Sequence, residues 1–276
     1  MTELMINALT EKMLASTIKK MPQSLLLTGE NGVGLGAIAK YIAEKRNVTP
    51  LIVLPEKDEK IDLDKGVISV DIMRRLYDEA STKTPTDRII IIDYAERMTT
   101  QAQNAFLKLL EEPGQNIYFI LVSHSSTKLL PTILSRAERL EIRPITLKQS
   151  DDLLDLLAVK DVKKRSQLLF MASGLPAELT RLATDDAYFD CMSVIVRDSR
   201  ELLRGSLYQK LLLAQKYKDD RVSAQLLLTN ASKILKKSLS DNPTPENLTL
   251  IDRILLASQR IEANGNIRLC FASLAL

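Results

Sequence analysis

The sequence predicts an α/β domain built on a parallel sheet, followed by an all-α region. Three observations carry this. Short apolar runs alternate with helical periodicity up to about residue 145. One of them, residues 88–93 (RIIIID), is an unbroken β-branched run, as expected of a strand covered by helices on both faces. Beyond residue 145 strand signals stop and 3.6-residue periodicity takes over. The length, 276 residues, suits two or three domains at roughly 100–200 residues each.

The elements follow in order. Residues 24–28 (SLLLT) read as a strand that runs into glycines, and residues 37–42 carry helical periodicity. Residues 49–54 (TPLIVL) read as a strand and 72–80 as a helix. A helix opens near Thr99 with Ala102, Ala105, Phe106, Leu109 and Leu110 on one face, and Pro113-Gly114 stops it. Residues 116–123 (NIYFILVS) and 140–142 supply the remaining strands. Thr146 and Gln149 are spaced as a capping box, in which each side chain satisfies a free helix-end N–H. Gly174-Leu175-Pro176 breaks the chain, and Pro176 suits the first turn of a new helix. Leu228, Ala231, Leu235 and Leu239 form one apolar stripe. Ile251, Ile254, Leu255, Ser258 and Ile261 form another, with a proline-bearing loop at 241–246 between them. These signals divide the chain into an α/β domain at 1–145, a small helical module at 146–188 and a helical domain at 189–276.

Composition narrows the class. The 38 basic and 35 acidic residues leave a net charge of +3, which excludes a polybasic protein but not a local basic stripe. At 45% hydrophobic and 26% charged, the chain can build a core. Cys191 and Cys270 cannot make a disulfide framework or a four-cysteine zinc site, and they read as buried or half-buried thiols. No apolar run approaches the ~18 residues that span a membrane, and Met1-Thr2-Glu3-Leu4 does not open a signal peptide. The chain therefore reads as cytoplasmic, with no membrane partner.

Residues 29–36 (GENGVGLG) lie between a strand and a helix, the setting of a phosphate-binding loop. Gly29 and Gly34 are in register with that motif, and Gly32 lies between them. Leu35 stands where the phosphate-binding lysine belongs and Gly36 where the Mg²⁺-ligating hydroxyl belongs. An apolar leucine facing phosphate oxygens would gain nothing. Backbone N–H groups could still cradle an anion, and an ordinary glycine turn is the plain alternative. Asp93 ends the buried run at the position of an acid that holds Mg²⁺ through water. The next residue is Tyr94, so the water-orienting glutamate is missing. Asp93 reads equally well as a structural strand-end acid.

The motifs further along carry a resemblance. Residues 93–98 (DYAERM), 101–108 (QAQNAFLK) and 110–113 (LEEP) resemble the stretch after the acidic strand in bacterial DNA polymerase III clamp-loader AAA+ subunits. Residues 129–136 (LLPTILSR) resemble their SRC segment, with Ala137 in place of its cysteine, and 261–269 (IEANGNIRL) resemble the end of their collar domain. The resemblance implies an AAA+ sheet domain, a helical lid and a helical collar. The degenerate loop points to the delta-prime type rather than gamma/tau, and no cysteine at 49–66 provides the family's zinc module; the charged run at 56–60 stands in its place.

The resemblance then implies roles. Arg136 becomes an arginine finger acting in trans on a neighbour's nucleotide, which suits a permanent planar cation. Without that context, Arg136 would read as pairing with Glu138 or Glu141 on the surface. Ser123 and His124 fall at sensor 1, either one being the equivalent, and a lone histidine is ordinarily structural. Ala177 falls where active members carry the sensor 2 arginine. The expected partners are gamma/tau and delta subunits, a sliding clamp and primed DNA. No zinc and no bound ATP are expected. Arg74-Arg75 and Lys236-Lys237 fit phosphate contacts or, more simply, solvated helix faces, and aromatic residues at 4% argue against base stacking. Two other readings stay open: a gamma/tau-like ATPase, and an AAA+-derived scaffold.

Overall fold

The structure is a computed structural model that describes residues 4–63, 65–80, 86–241 and 244–275. The residues read for a signal peptide lie mostly outside these, as do two residues of the 241–246 loop. The chain divides into two units, one ending at Thr184 and one beginning at Asp185.

In the first unit, α1 (Ala8–Lys19) leads into β1 (Ser24–Thr28), α2 (Leu35–Lys45) and β2 (Leu51–Val53). A small antiparallel hairpin, β3 (Glu56–Lys57) and β4 (Lys60–Ile61), precedes α3 (Val70–Ala80) and β5 (Arg88–Ile92). Then come α4 (Thr100–Glu111), β6 (Ile117–Ser123), the short α5 (Pro131–Leu134) and β7 (Glu138–Glu141). The five longer strands form one parallel sheet in the order β2-β5-β6-β1-β7. Ile89, Ile90, Ile91 and Ile92 are buried and split alternately between the apolar clusters on the two faces. That division is why the run needs no polar alternation. The charged run at 56–60 is a hairpin, which its exposed, ionic composition did not signal.

α4 starts where its cap dictates. Thr99 is extended and its side chain accepts from Ala102 N, an exchange worth about 1 kcal/mol over alanine. Ala102, Phe106, Leu109 and Leu110 are buried, and Phe106 meets Phe119 edge-on. The unit ends with α6 (Leu147–Leu156), α7 (Val162–Ala172) and α8 (Pro176–Thr184). The capping box at Thr146 and Gln149 is present, and Pro176 opens α8.

The second unit is helical: α9 (Asp186–Arg204), α10 (Leu207–Lys216), α11 (Arg221–Asp241), α12 (Pro245–Glu262) and α13 (Ile267–Ala275). α9 already begins inside the stretch expected for the small module. Polar contacts between helices help hold this unit. Buried Asp198 on α9 accepts from Lys216 Nζ and from Tyr217 Oη. Those donors hold its carboxyl below the usual range against the cost of burial, which is the larger cause and acts upward. Arg221 donates to the carbonyls of Ile261 and Gly265, closing the end of α12. Of the predicted stripes, Leu228, Ala231 and Leu235 are buried, as are Ile251, Ile254 and Ile261. Leu255 faces solvent, and Ala257 takes the buried place. Cys270 is buried as read, whereas Cys191 is exposed on α9.

Candidate functional site

Parallel pairing brings three strand ends together. Thr28 is level with Ser123 across β1 and β6, so Gly29 and His124 leave the sheet side by side. His124 Nδ1 lies 3.1 Å from Gly29 O. A carbonyl can only accept, so Nδ1 carries the proton in this contact. Glu96 Oε2 accepts from His124 N at 3.3 Å, and Tyr94 meets the His124 ring edge-on. Ser123 is fully buried and its Oγ accepts from Ser125 N. Of the two sensor 1 candidates, only His124 reaches the glycine loop through its side chain.

Asp93 follows β5. Its Oδ1 accepts from Tyr94 N at 3.0 Å, and Tyr94 takes a left-handed backbone with Arg97 over its ring. A Cβ added at Gly36 would stand 3.0 Å from Asp93 Oδ2. The carboxylate thus approaches the position where a hydroxyl would hold a metal. Burial, opposed by the Tyr94 N–H and the His124 and Lys40 charges, pushes its carboxyl above the usual range.

The glycine loop itself is closed by protein. Gly34 caps α2 in a left-handed conformation with no side-chain cap. Leu35 is buried beneath the loop. It is 1% exposed and packs with Val33, Leu27, Ile142 and Leu175. This apolar cluster gives the side chain a better environment than water. Gly32, at φ +93°, accepts at its carbonyl oxygen from the start of α8: Ala177 N and Glu178 N both donate to it, at 2.9 and 3.1 Å. A Cβ at Gly32 would meet Glu178 Cβ at 2.8 Å. Ala177 therefore contributes a backbone N–H to the loop.

Arg136 lies away from this loop, just after α5. Its Nη2 donates to Glu111 Oε1 at 2.7 Å and its Nη1 to Thr132 O at 3.1 Å. The partner is neither Glu138 nor Glu141, the acids nearest in sequence; the fold delivers Glu111 from the end of α4. The side chain is 38% exposed. Its position depends on Gln103, whose role no sequence signal disclosed. Buried Gln103 donates to Met98 O and Lys128 O and accepts from Leu130 N at 2.8 Å. This ties α4 to the segment leading into α5. Among the basic pairs, Arg74 bonds Asp71 and Arg75 bonds Glu56, both on the surface.

Residues 44–146 match a family model described as DNA polymerase III, delta subunit. DNA polymerase III subunit delta' of Bacillus subtilis is 30% identical over 111 residues, 40% of this chain and 33% of that protein. The Haemophilus influenzae subunit delta' is 36% identical over 86 residues, 30% of this chain and 26% of that protein. Replication factor C subunit 3 of Saccharomyces cerevisiae is 31% identical over 134 residues, 46% of this chain and 37% of that protein. The chain thus spans about a third of the length of the curated relatives it matches. Among solved structures, a gamma subunit-related protein of Thermotoga maritima superposes with a TM-score of 0.54 at 21% identity, over 96% of this chain and 97% of that one.

The first unit shares its fold with that gamma subunit-related protein, and the stretch at 44–146 is similar in sequence to clamp-loader subunits. Over that stretch the similarity is to subunits of the delta-prime type. Among the described residues, no helix is long and apolar enough to cross a membrane.

Proposed function

We propose that the chain is a non-catalytic, delta-prime-like subunit of a DNA polymerase III clamp loader. It supplies Arg136 in trans to a neighbouring ATPase subunit and helps load a sliding clamp on primed DNA in the cytoplasm. Residues 146–188 act as its lid and 189–276 as its collar, joining it to gamma/tau and delta subunits. It needs no cofactor of its own.

The observation that carries this reading is the closed glycine loop. The Gly32 carbonyl takes the first free N–H groups of α8, and Leu35 fills the space beneath with hydrocarbon. Transferring a phosphoryl group needs the lysine, a metal ligand and a residue to orient water. Leu35, Gly36 and Tyr94 stand at those three positions. Arg136, by contrast, is exposed and carries a permanent charge.

The test is phosphate release in a ring assembled from this chain and the ATPase subunits of its own organism. The chain alone releases no phosphate. Arg136→Ala assembles normally and lowers turnover at the neighbouring site by about 10³–10⁵-fold, the range known for such fingers. Unchanged turnover with Arg136→Ala overturns the trans role. Sustained release by the chain alone, proportional to protein across preparations, makes it a gamma/tau-like ATPase instead.

A further inference from the structure

We propose that Glu111 is the resting partner of Arg136, an internal anion that the neighbour's nucleotide phosphate must displace. The inference rests on the trans role of Arg136 given above. In the free chain both ends of the guanidinium fork turn back on their own subunit, one onto Glu111 Oε1 and the other onto Thr132 O. A carboxylate and a phosphate offer guanidinium the same thing, paired anionic oxygens that accept from its N–H fork. An anion on the Nη2 edge therefore excludes a second one there.

Three features fit an exchangeable partner rather than a structural one. Both side chains are open to water, at 38% and 51% exposure, and exposed pairs hold weakly. Glu111 ends α4, where a negative charge meets the negative end of the helix dipole and gains nothing locally. Its placement at Arg136 is set from rigid parts, since Gln103 fastens α4 to the segment that precedes α5. Glu111 is thus a positioning residue: it parks the guanidinium until a stronger anion arrives.

The test is steady-state ATP turnover by the same reconstituted ring, read as kcat and KM. Full-length wild type, Glu111→Gln, Arg136→Ala, the double variant and Glu112→Gln are compared, each first matched to wild type by thermal melting. Glu112→Gln removes the same charge one residue away. Glu111→Gln lowers KM for ATP about 2- to 5-fold, the range an exposed pair supplies, with kcat unchanged. Glu112→Gln leaves KM alone, and Glu111→Gln has no effect in the Arg136→Ala background. A fall in kcat with Glu111→Gln overturns the proposal, because Glu111 then orients Arg136 for catalysis. An unchanged KM, or an equal shift with Glu112→Gln or without Arg136, overturns it too. Arg136→Ala without loss removes the trans role itself, and this proposal with it; a loss there beside a silent Glu111→Gln removes only the resting partner.

Discussion

The glycine-loop corner and the Arg136 corner belong to the same sheet unit and are built on opposite principles. At the loop, several groups already have partners within the protein. Gly32 O holds α8, Leu35 sits in the core, Gly29 O holds His124, and Asp93 crowds Gly36. At Arg136 the charged group is exposed, and among the described residues one surface carboxylate and one carbonyl hold it. A buried, mutually satisfied site resists change, whereas an exposed ion pair is worth little and exchanges easily. The difference teaches where to look for the function: in the corner whose contacts are cheap to trade.

The largest effect should come from forcing the closed corner open. Leu35→Lys places an ammonium where the side chain is 1% exposed, and costs about 3 kcal/mol in urea unfolding. It confers no ATP turnover, since Gly36 and Tyr94 still lack the required chemistry. Wild-type stability for this variant would break the comparison, because the corner would then have room to spare.

Next comes the frame behind Arg136. Gln103→Ala leaves Leu130 N and two carbonyls without their partner. The cost is about 2 kcal/mol, and ring turnover falls because the segment carrying Arg136 loosens. Destabilisation with full ring activity would show that Arg136 finds its place without that tie.

The smallest effect has the opposite sign. Burial raises the Asp93 carboxyl above its ordinary value of 3.8. A raised acid stabilises the fold below its unfolded value and loses that contribution as pH rises through the folded one. Asp93→Asn therefore raises the thermal midpoint at pH 7, and the gain disappears as pH falls below 3.8. Asp198 behaves in reverse, its lowered carboxyl supporting the helical unit at neutral pH and ceasing to as pH drops. Equal pH dependence in wild type and Asp93→Asn would remove the burial cost assigned to Asp93.

Much of the fold was legible because it is written locally. The isoleucine run at 89–92, the Thr99 cap and the Thr146 capping box depend on neighbours within a few residues. The β3–β4 hairpin was not, since two exposed, charged two-residue strands carry no hydrophobic pattern. The candidate site divides in the same way. Which residues stand at Leu35, Gly36 and Tyr94 is plain from the sequence. What they touch is not, because Leu35 shares an apolar cluster with Leu175, and Gly32 O accepts from Ala177 N, across a chain separation of about 140 residues. The partner of Arg136 escaped for the same reason: Glu138 and Glu141 are close in sequence, but α4 brings Glu111 close in space.

The central claim is that protein already occupies the nucleotide corner. Calorimetric titration of the purified full chain with Mg·ATP tests it most directly, with phosphate followed in the same samples. The account predicts neither binding heat nor phosphate. Saturable heat at one site per chain, with or without turnover, would contradict it.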